Sequence, residues 1–92
     1  MADSAGWHLY VIECEDGSLY TGIAVDPRAR FAAHAAGKGA RYTRSHRPVR
    51  LVLTLAFADR SSALKAECRV KRLRAEDKRR FVETGDWAAV EG

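Results

Sequence analysis

Tyr10 and Tyr20 stand ten residues apart, Arg30 follows after another ten, and His34 comes one helical turn later. A phenol can give or take a proton, a guanidinium neutralises anionic oxygens, and an imidazole titrates near neutral pH. Phenols, a guanidinium and an imidazole gathered at one place suit chemistry on a phosphodiester. Arg30 and His34, four apart on a helix, must share a face. The rest of the chain has to build a platform beneath these groups or lay positive charge around them.

The platform can be read from periodicity and turn chemistry. Trp7-His8-Leu9-Tyr10-Val11-Ile12-Glu13-Cys14 is rich in β-branched and aromatic residues and predicts a strand. Glu15-Asp16-Gly17-Ser18 predicts a turn around Asp-Gly, and Leu19-Tyr20-Thr21-Gly22-Ile23-Ala24 the returning strand. In such a hairpin Tyr10 and Tyr20 can approach each other. Asp26 and Pro27 predict a helix start, as N-cap and first helical residue, and Gly37 a stop. Phe31, Ala32 and Ala35 are expected to form the buried stripe of that helix.

Residues 38–43 read as a flexible basic loop with one aromatic, Tyr42. Residues 49–57 predict a third strand, the most apolar, expected to be central or well covered. A helix capped by Asp59 or Ser61 should run to about Arg74, with Ala63, Ala66, Val70 and Leu73 as its core stripe. After an interruption at Ala75-Glu76, a last helix is expected from about Asp77 to Thr84, ended by Gly85. Trp87 is expected to pack back on the domain. The order β-β-α-β-α-α indicates an α+β fold, a small three-stranded antiparallel sheet flanked by helices.

Ninety-two residues suffice for one core, so the chain is expected to be a single domain. No apolar run approaches the roughly 20 residues that span a bilayer, and the first residues lack the basic and apolar regions of a secretory signal. A cytoplasmic location is the expectation. Cys14 and Cys68 match no metal spacing and are expected as buried thiols; His8, His34 and His46 form no zinc pattern.

The formal net charge is +4, and its distribution is uneven. Residues 1–36 carry two Arg against five acids, whereas residues 37–50 carry Lys38, Arg41, Arg44, Arg47 and Arg50 with no acid. A polyanion would be drawn to this segment, directly after the Tyr/Arg/His stretch. Lys38, Arg41 and Arg44 are assigned to phosphate contacts, and Tyr42 either to packing or to stacking on a base.

His8-Leu9-Tyr10, Tyr20-Thr21-Gly22, Arg30-Phe31-Ala32-Ala33-His34, Gly37-Lys38-Gly39-Ala40 and Glu67 with Lys71 and Leu73 occur in that order. Together they resemble the GIY-YIG endonuclease superfamily, and within it the small single-domain bacterial proteins. The resemblance covers about residues 7 to 83. His8 replaces the signature glycine and Thr21 its second isoleucine.

The resemblance implies a metal-dependent nuclease that cuts DNA, single-stranded or structured, by one in-line displacement. Tyr20 or Tyr10 would take a proton from water, given a cation to lower a phenol pKa near 10. Arg30 would neutralise charge growing on the phosphoryl oxygens. Glu67 would hold one Mg²⁺ or Mn²⁺ with phosphate and waters. His34 would donate to a phosphate oxygen or assist Tyr20. Glu67 also has an ordinary reading, an i,i+4 pair with Lys71 worth about 0.3–0.5 kcal/mol. A second function class stands beside the enzyme: a nucleic-acid-binding module of the same fold that does not cleave. In either case selectivity comes from residues 37–50 and the helix faces, or from a partner protein.

Overall fold

The computed structural model describes residues 6–86 and Val90. Its elements are β1 (Trp7–Cys14), β2 (Leu19–Ala24), α1 (Pro27–Ala35), α2 (Arg41–Ser45), β3 (Pro48–Phe57), α3 (Arg60–Lys71) and α4 (Ala75–Thr84). The three strands form one antiparallel sheet in the order β2-β1-β3. The α+β class and the three-stranded antiparallel sheet match the sequence reading, with one short helix added between α1 and β3. Trp87 lies outside the described residues.

β1 is the central strand because both of its faces are apolar. Leu9, Tyr10, Val11 and Ile12 are all at most 1% exposed, which a half-solvated strand would not permit. On one face Tyr10, Ile12, Cys14 and Ala24 pack with Tyr20, Phe31 and Leu51; on the other Leu9, Val70 and Phe81 pack with Ile23, Leu53, Leu55, Phe57 and Leu73.

β3, expected to be central or well covered, is an edge strand, paired among the described residues with β1 alone. Its register shifts twice, between Val11 and Ile12 and between Glu13 and Cys14. Such an irregularity leaves an extra residue on one strand and changes which face its side chains take. Leu51 and Leu53, two apart, therefore join opposite clusters. The apolar run of β3 reflects service to both faces, not a central place.

The hairpin turn follows from Gly17, whose φ of +85° suits a residue without Cβ. Asp16 Oδ1 accepts from the Ser18 amide at 3.1 Å and from its hydroxyl at 2.6 Å, closing the turn. Asp26 caps α1 through the Ala29 amide at 3.2 Å, with Pro27 following. The helix ends in paired bonds, Gly37 N to His34 O at 3.0 Å and Lys38 N to Ala33 O at 2.9 Å, with Gly37 at φ +78°. Its buried face differs from the apolar stripe expected: Ala32 and Ala35 are exposed, Phe31 is half-buried and His34 is fully buried.

Asp59 caps α3 through the Ser62 amide at 2.8 Å. Ala63, Ala66 and Val70 are its buried residues, while Leu73 is half-buried beyond its end. The break before α4 falls at residues 72–74, and α4 already begins at Ala75, where an interruption was expected. Gly85 closes it at φ +67°. Of the two cysteines, Cys14 is buried as expected and Cys68 is exposed.

Candidate active site

The hairpin register sets Tyr10 opposite Gly22 and Ile12 opposite Tyr20, so the tyrosines are diagonal neighbours on one face. Their ring centroids lie 6.3 Å apart. Gly22 is required at its position: a Cβ there would fall 2.5 Å from the Tyr10 oxygen. The strand thus brings its backbone against the phenol.

α1 supplies the next two groups. His34 is fully buried, and its Nε2 lies 3.0 Å from the Tyr10 oxygen. Its ring centroid is 5.0 Å from that of Tyr20 and 6.0 Å from that of Tyr10. Arg30, on the same helix, is exposed, and its guanidinium is close enough to act on both Tyr10 and His34. Glu67 stands on α3. Its side chain is 17% exposed, it pairs with Lys71 at 3.1 Å, and its charge reaches Tyr10. The five candidate residues Tyr10, Tyr20, Arg30, His34 and Glu67 are thus gathered from four elements.

The electrostatics separate the two buried groups from the rim. Burial, with the neighbouring Tyr20, pushes the Tyr10 phenol up from its ordinary value, against the pull of Arg30. Burial pushes the His34 imidazole down, and Arg30 adds to this. At neutral pH both groups are uncharged.

The segment expected as a flexible loop contains α2, a five-residue helix with no side-chain cap. Lys38, Arg41 and Arg44 are exposed along it. Tyr42, 36% exposed, stacks on Tyr20 at 5.8 Å and on His46 at 4.1 Å. His46 Nδ1 in turn meets Asp16 Oδ2 at 2.7 Å. Bonds from Ser18 and His46 hold the Asp16 carboxyl well below the usual carboxylate range. The basic segment is therefore tied both to Tyr20 and to the hairpin turn.

Sequence reasoning took Gly39 and Ala40 only as part of the family pattern and gave Thr43 no role. Thr43 is 2% exposed, and its Oγ1 lies 2.7 Å from His34 Nδ1. A Cβ on Gly39 would overlap the His34 ring, 2.6 Å from its Cγ. The second glycine of Gly37-Lys38-Gly39 was the available signal; a threonine between two arginines offered none.

Beside Arg30 opens a groove of about 430 Å³ lined by Trp7, Ile23, Val25, Asp26, Ala29 and Arg60 among others. Arg60 lies over the Trp7 ring, 5.6 Å from its centroid. Among the described residues no three His, Cys, Asp or Glu cluster as metal ligands, and no helix is long and apolar enough to cross a membrane.

The family of GIY-YIG catalytic domains matches residues 6–80, and the chain belongs to it. This places it in the GIY-YIG nuclease superfamily. It is 54% identical over 80 residues to a UPF0213 protein of Cupriavidus necator, covering 87% of this chain and 86% of that one. A UPF0213 protein of Neisseria meningitidis is 42% identical over 84 residues, covering 91% and 92%. The solution NMR structure of a UPF0213 protein from Bacillus halodurans is 43% identical with a TM-score of 0.56, covering 86% of this chain and 84% of that one. A second solution structure, of a protein from E. faecalis, is 35% identical with a TM-score of 0.58 and the same coverage.

Proposed function

We propose that the protein is a metal-dependent endonuclease that hydrolyses phosphodiester bonds in DNA. The observation that carries this reading is the grouping of Tyr10, Tyr20 and His34, with ring centroids 5.0–6.3 Å apart, within reach of the Arg30 and Glu67 charges that act on Tyr10. Tyr20, half-buried, is the phenol on the open side and takes the proton of the attacking water. Tyr10, buried and held protonated, orients that water or donates to a phosphate oxygen. Arg30 neutralises charge that grows on the phosphoryl group.

The donor set fits a hard divalent cation bound together with substrate. Glu67 offers one carboxylate beside the phenols, and Mg²⁺ or Mn²⁺ is commonly held by one or two carboxylates with phosphate oxygens and water. Such an ion supplies Lewis-acid polarisation of the phosphoryl oxygens. Lys71, 3.1 Å from Glu67, has to yield the carboxylate when the ion binds. The isolated protein is accordingly expected to bind the ion weakly.

The groove with Trp7 and Arg60 adjoins Arg30 and is of a size for one nucleotide, which favours an unpaired or distorted strand over regular duplex. Lys38, Arg41 and Arg44 then meet flanking phosphates on the other side. A binding module that does not cleave is the second reading; the Glu67–Lys71 pair favours it, since a neutralised carboxylate has no need of an ion. Metal-dependent cutting of labelled DNA, abolished in Tyr20→Phe and Arg30→Ala, tests the first reading. Salt-sensitive binding without cutting would establish the second and direct attention to a partner protein.

A further inference from the structure

His34 is fully buried, and both ring nitrogens are engaged: Nε2 with the Tyr10 oxygen at 3.0 Å, Nδ1 with Thr43 Oγ1 at 2.7 Å. A third contact decides which nitrogen carries the proton. The backbone amide of Ala40 points at Nδ1 at 3.3 Å. A backbone N–H can only donate, so Nδ1 must accept. The Thr43 hydroxyl has two acceptors within reach, Nδ1 and the Ala40 carbonyl at 2.9 Å. That carbonyl can accept both the Thr43 amide at 3.1 Å and the hydroxyl, so it does not decide the matter; a bare Nδ1 does, because at 2.7 Å it can bond the hydroxyl only as an acceptor. With Nδ1 as acceptor, the ring proton of a neutral imidazole sits on Nε2 and is donated to Tyr10.

We propose that Thr43 is a positioning residue which, with the Ala40 amide, fixes His34 in the Nε2–H tautomer and thereby leaves the Tyr10 hydroxyl proton free to face the reacting centre. The opposite tautomer would draw that proton back onto Nε2 and turn the phenol away. Gly39 belongs to the same device, because any side chain there would overlap the imidazole and hold the Ala40 amide off. Thr43 lies in α2 between Arg41 and Arg44, two residues assigned to phosphate contacts. The basic segment and the phenol at the centre are thus joined through three side chains, Thr43, His34 and Tyr10.

The tautomer is read from the Ala40 amide that donates to Nδ1; its consequence for turnover rests on the nuclease reading. Nitrogen-15 NMR of the His34 ring distinguishes the two neutral tautomers without any turnover. The wild-type protein should show protonated Nε2 and bare Nδ1, and Thr43→Val should shift the ring toward the other form. Thr43→Val should also lower kcat about tenfold with KM for DNA unchanged, and Thr43→Ser should restore both spectrum and kcat. Protonated Nδ1 in the wild type overturns the proposal, whether or not Thr43→Val folds. So does a Thr43→Val protein whose tautomer and kcat match the wild type. A protein that cuts no DNA but shows the Nε2–H ring overturns the nuclease reading and leaves the tautomer assignment standing.

Discussion

Gly22 faces Tyr10 across the β1–β2 ladder so closely that a methyl group at Gly22 would lie 2.5 Å from the phenol oxygen and 2.7 Å from its ring carbon. The phenol cannot retreat, because His34 holds its oxygen on the other side. Gly22→Ala should therefore displace the Tyr10 ring and break its bond to His34. Overpacking of this kind costs about 1–3 kcal/mol. Urea denaturation should show that loss; an unchanged midpoint would mean that the sheet gives way easily and Tyr10 is not clamped.

Acid should expose the burial of His34. Its pKa is held below the ordinary 6.5, so below that pH the unfolded chain takes up a proton that the folded chain refuses. Where the unfolded state binds more protons, stability falls as pH falls. The stability that neutral His34 contributes is complete above 6.5 and declines progressively on acidification from there. Denaturation midpoints of wild type and His34→Gln between pH 7.5 and 5 should converge as the pH drops. Parallel curves would show that His34 titrates alike in both states.

The hydroxyl of Thr21 is buried, 3% exposed, and has no hydrogen-bond partner among the described residues. An unsatisfied polar group in the interior costs about 1–3 kcal/mol. Thr21→Val keeps the shape and removes the group, so it should raise stability by about 1 kcal/mol. A lower melting temperature in that variant would point to a partner for the hydroxyl.

These cases also show what the sequence made legible. The Asp16-Gly17 turn, the Asp26-Pro27 start, the Asp59 cap and Gly85 announce themselves locally, since each rests on backbone rules that act within a few residues. The gathering of Tyr10, Tyr20, Arg30, His34 and Glu67 was legible only through the joint pattern. The burial of His34 in place of Ala32 and Ala35 was not legible, because it is stabilised by Thr43, Ala40 and Tyr10 from other segments. The edge position of β3 was hidden by its irregular register, which defeats a period-two reading. α2 has neither a cap nor enough residues to show a period.

Lys38, Arg41 and Arg44 should govern affinity. For single-stranded DNA, removing one phosphate-binding cation should make the slope of log K against log salt shallower by about 0.7. Alanine at each position, tested by fluorescence anisotropy across a salt series, should give that change with little dependence on sequence. Trp7→Ala should instead weaken binding of unpaired strands more than of duplex, if a base occupies the groove beside Arg30. Equal weakening on both forms would remove the groove from the binding path.

The most direct measurement is cleavage of labelled single-stranded, duplex and branched DNA by the purified protein in Mg²⁺, Mn²⁺ or EDTA. Wild type would be compared with Tyr20→Phe, Arg30→Ala and Glu67→Ala. The account predicts metal-dependent cutting that falls at least about 100-fold in each variant while binding persists. Full-rate cutting by Glu67→Ala, or salt-sensitive binding with no cutting of any substrate by the wild type, would contradict it.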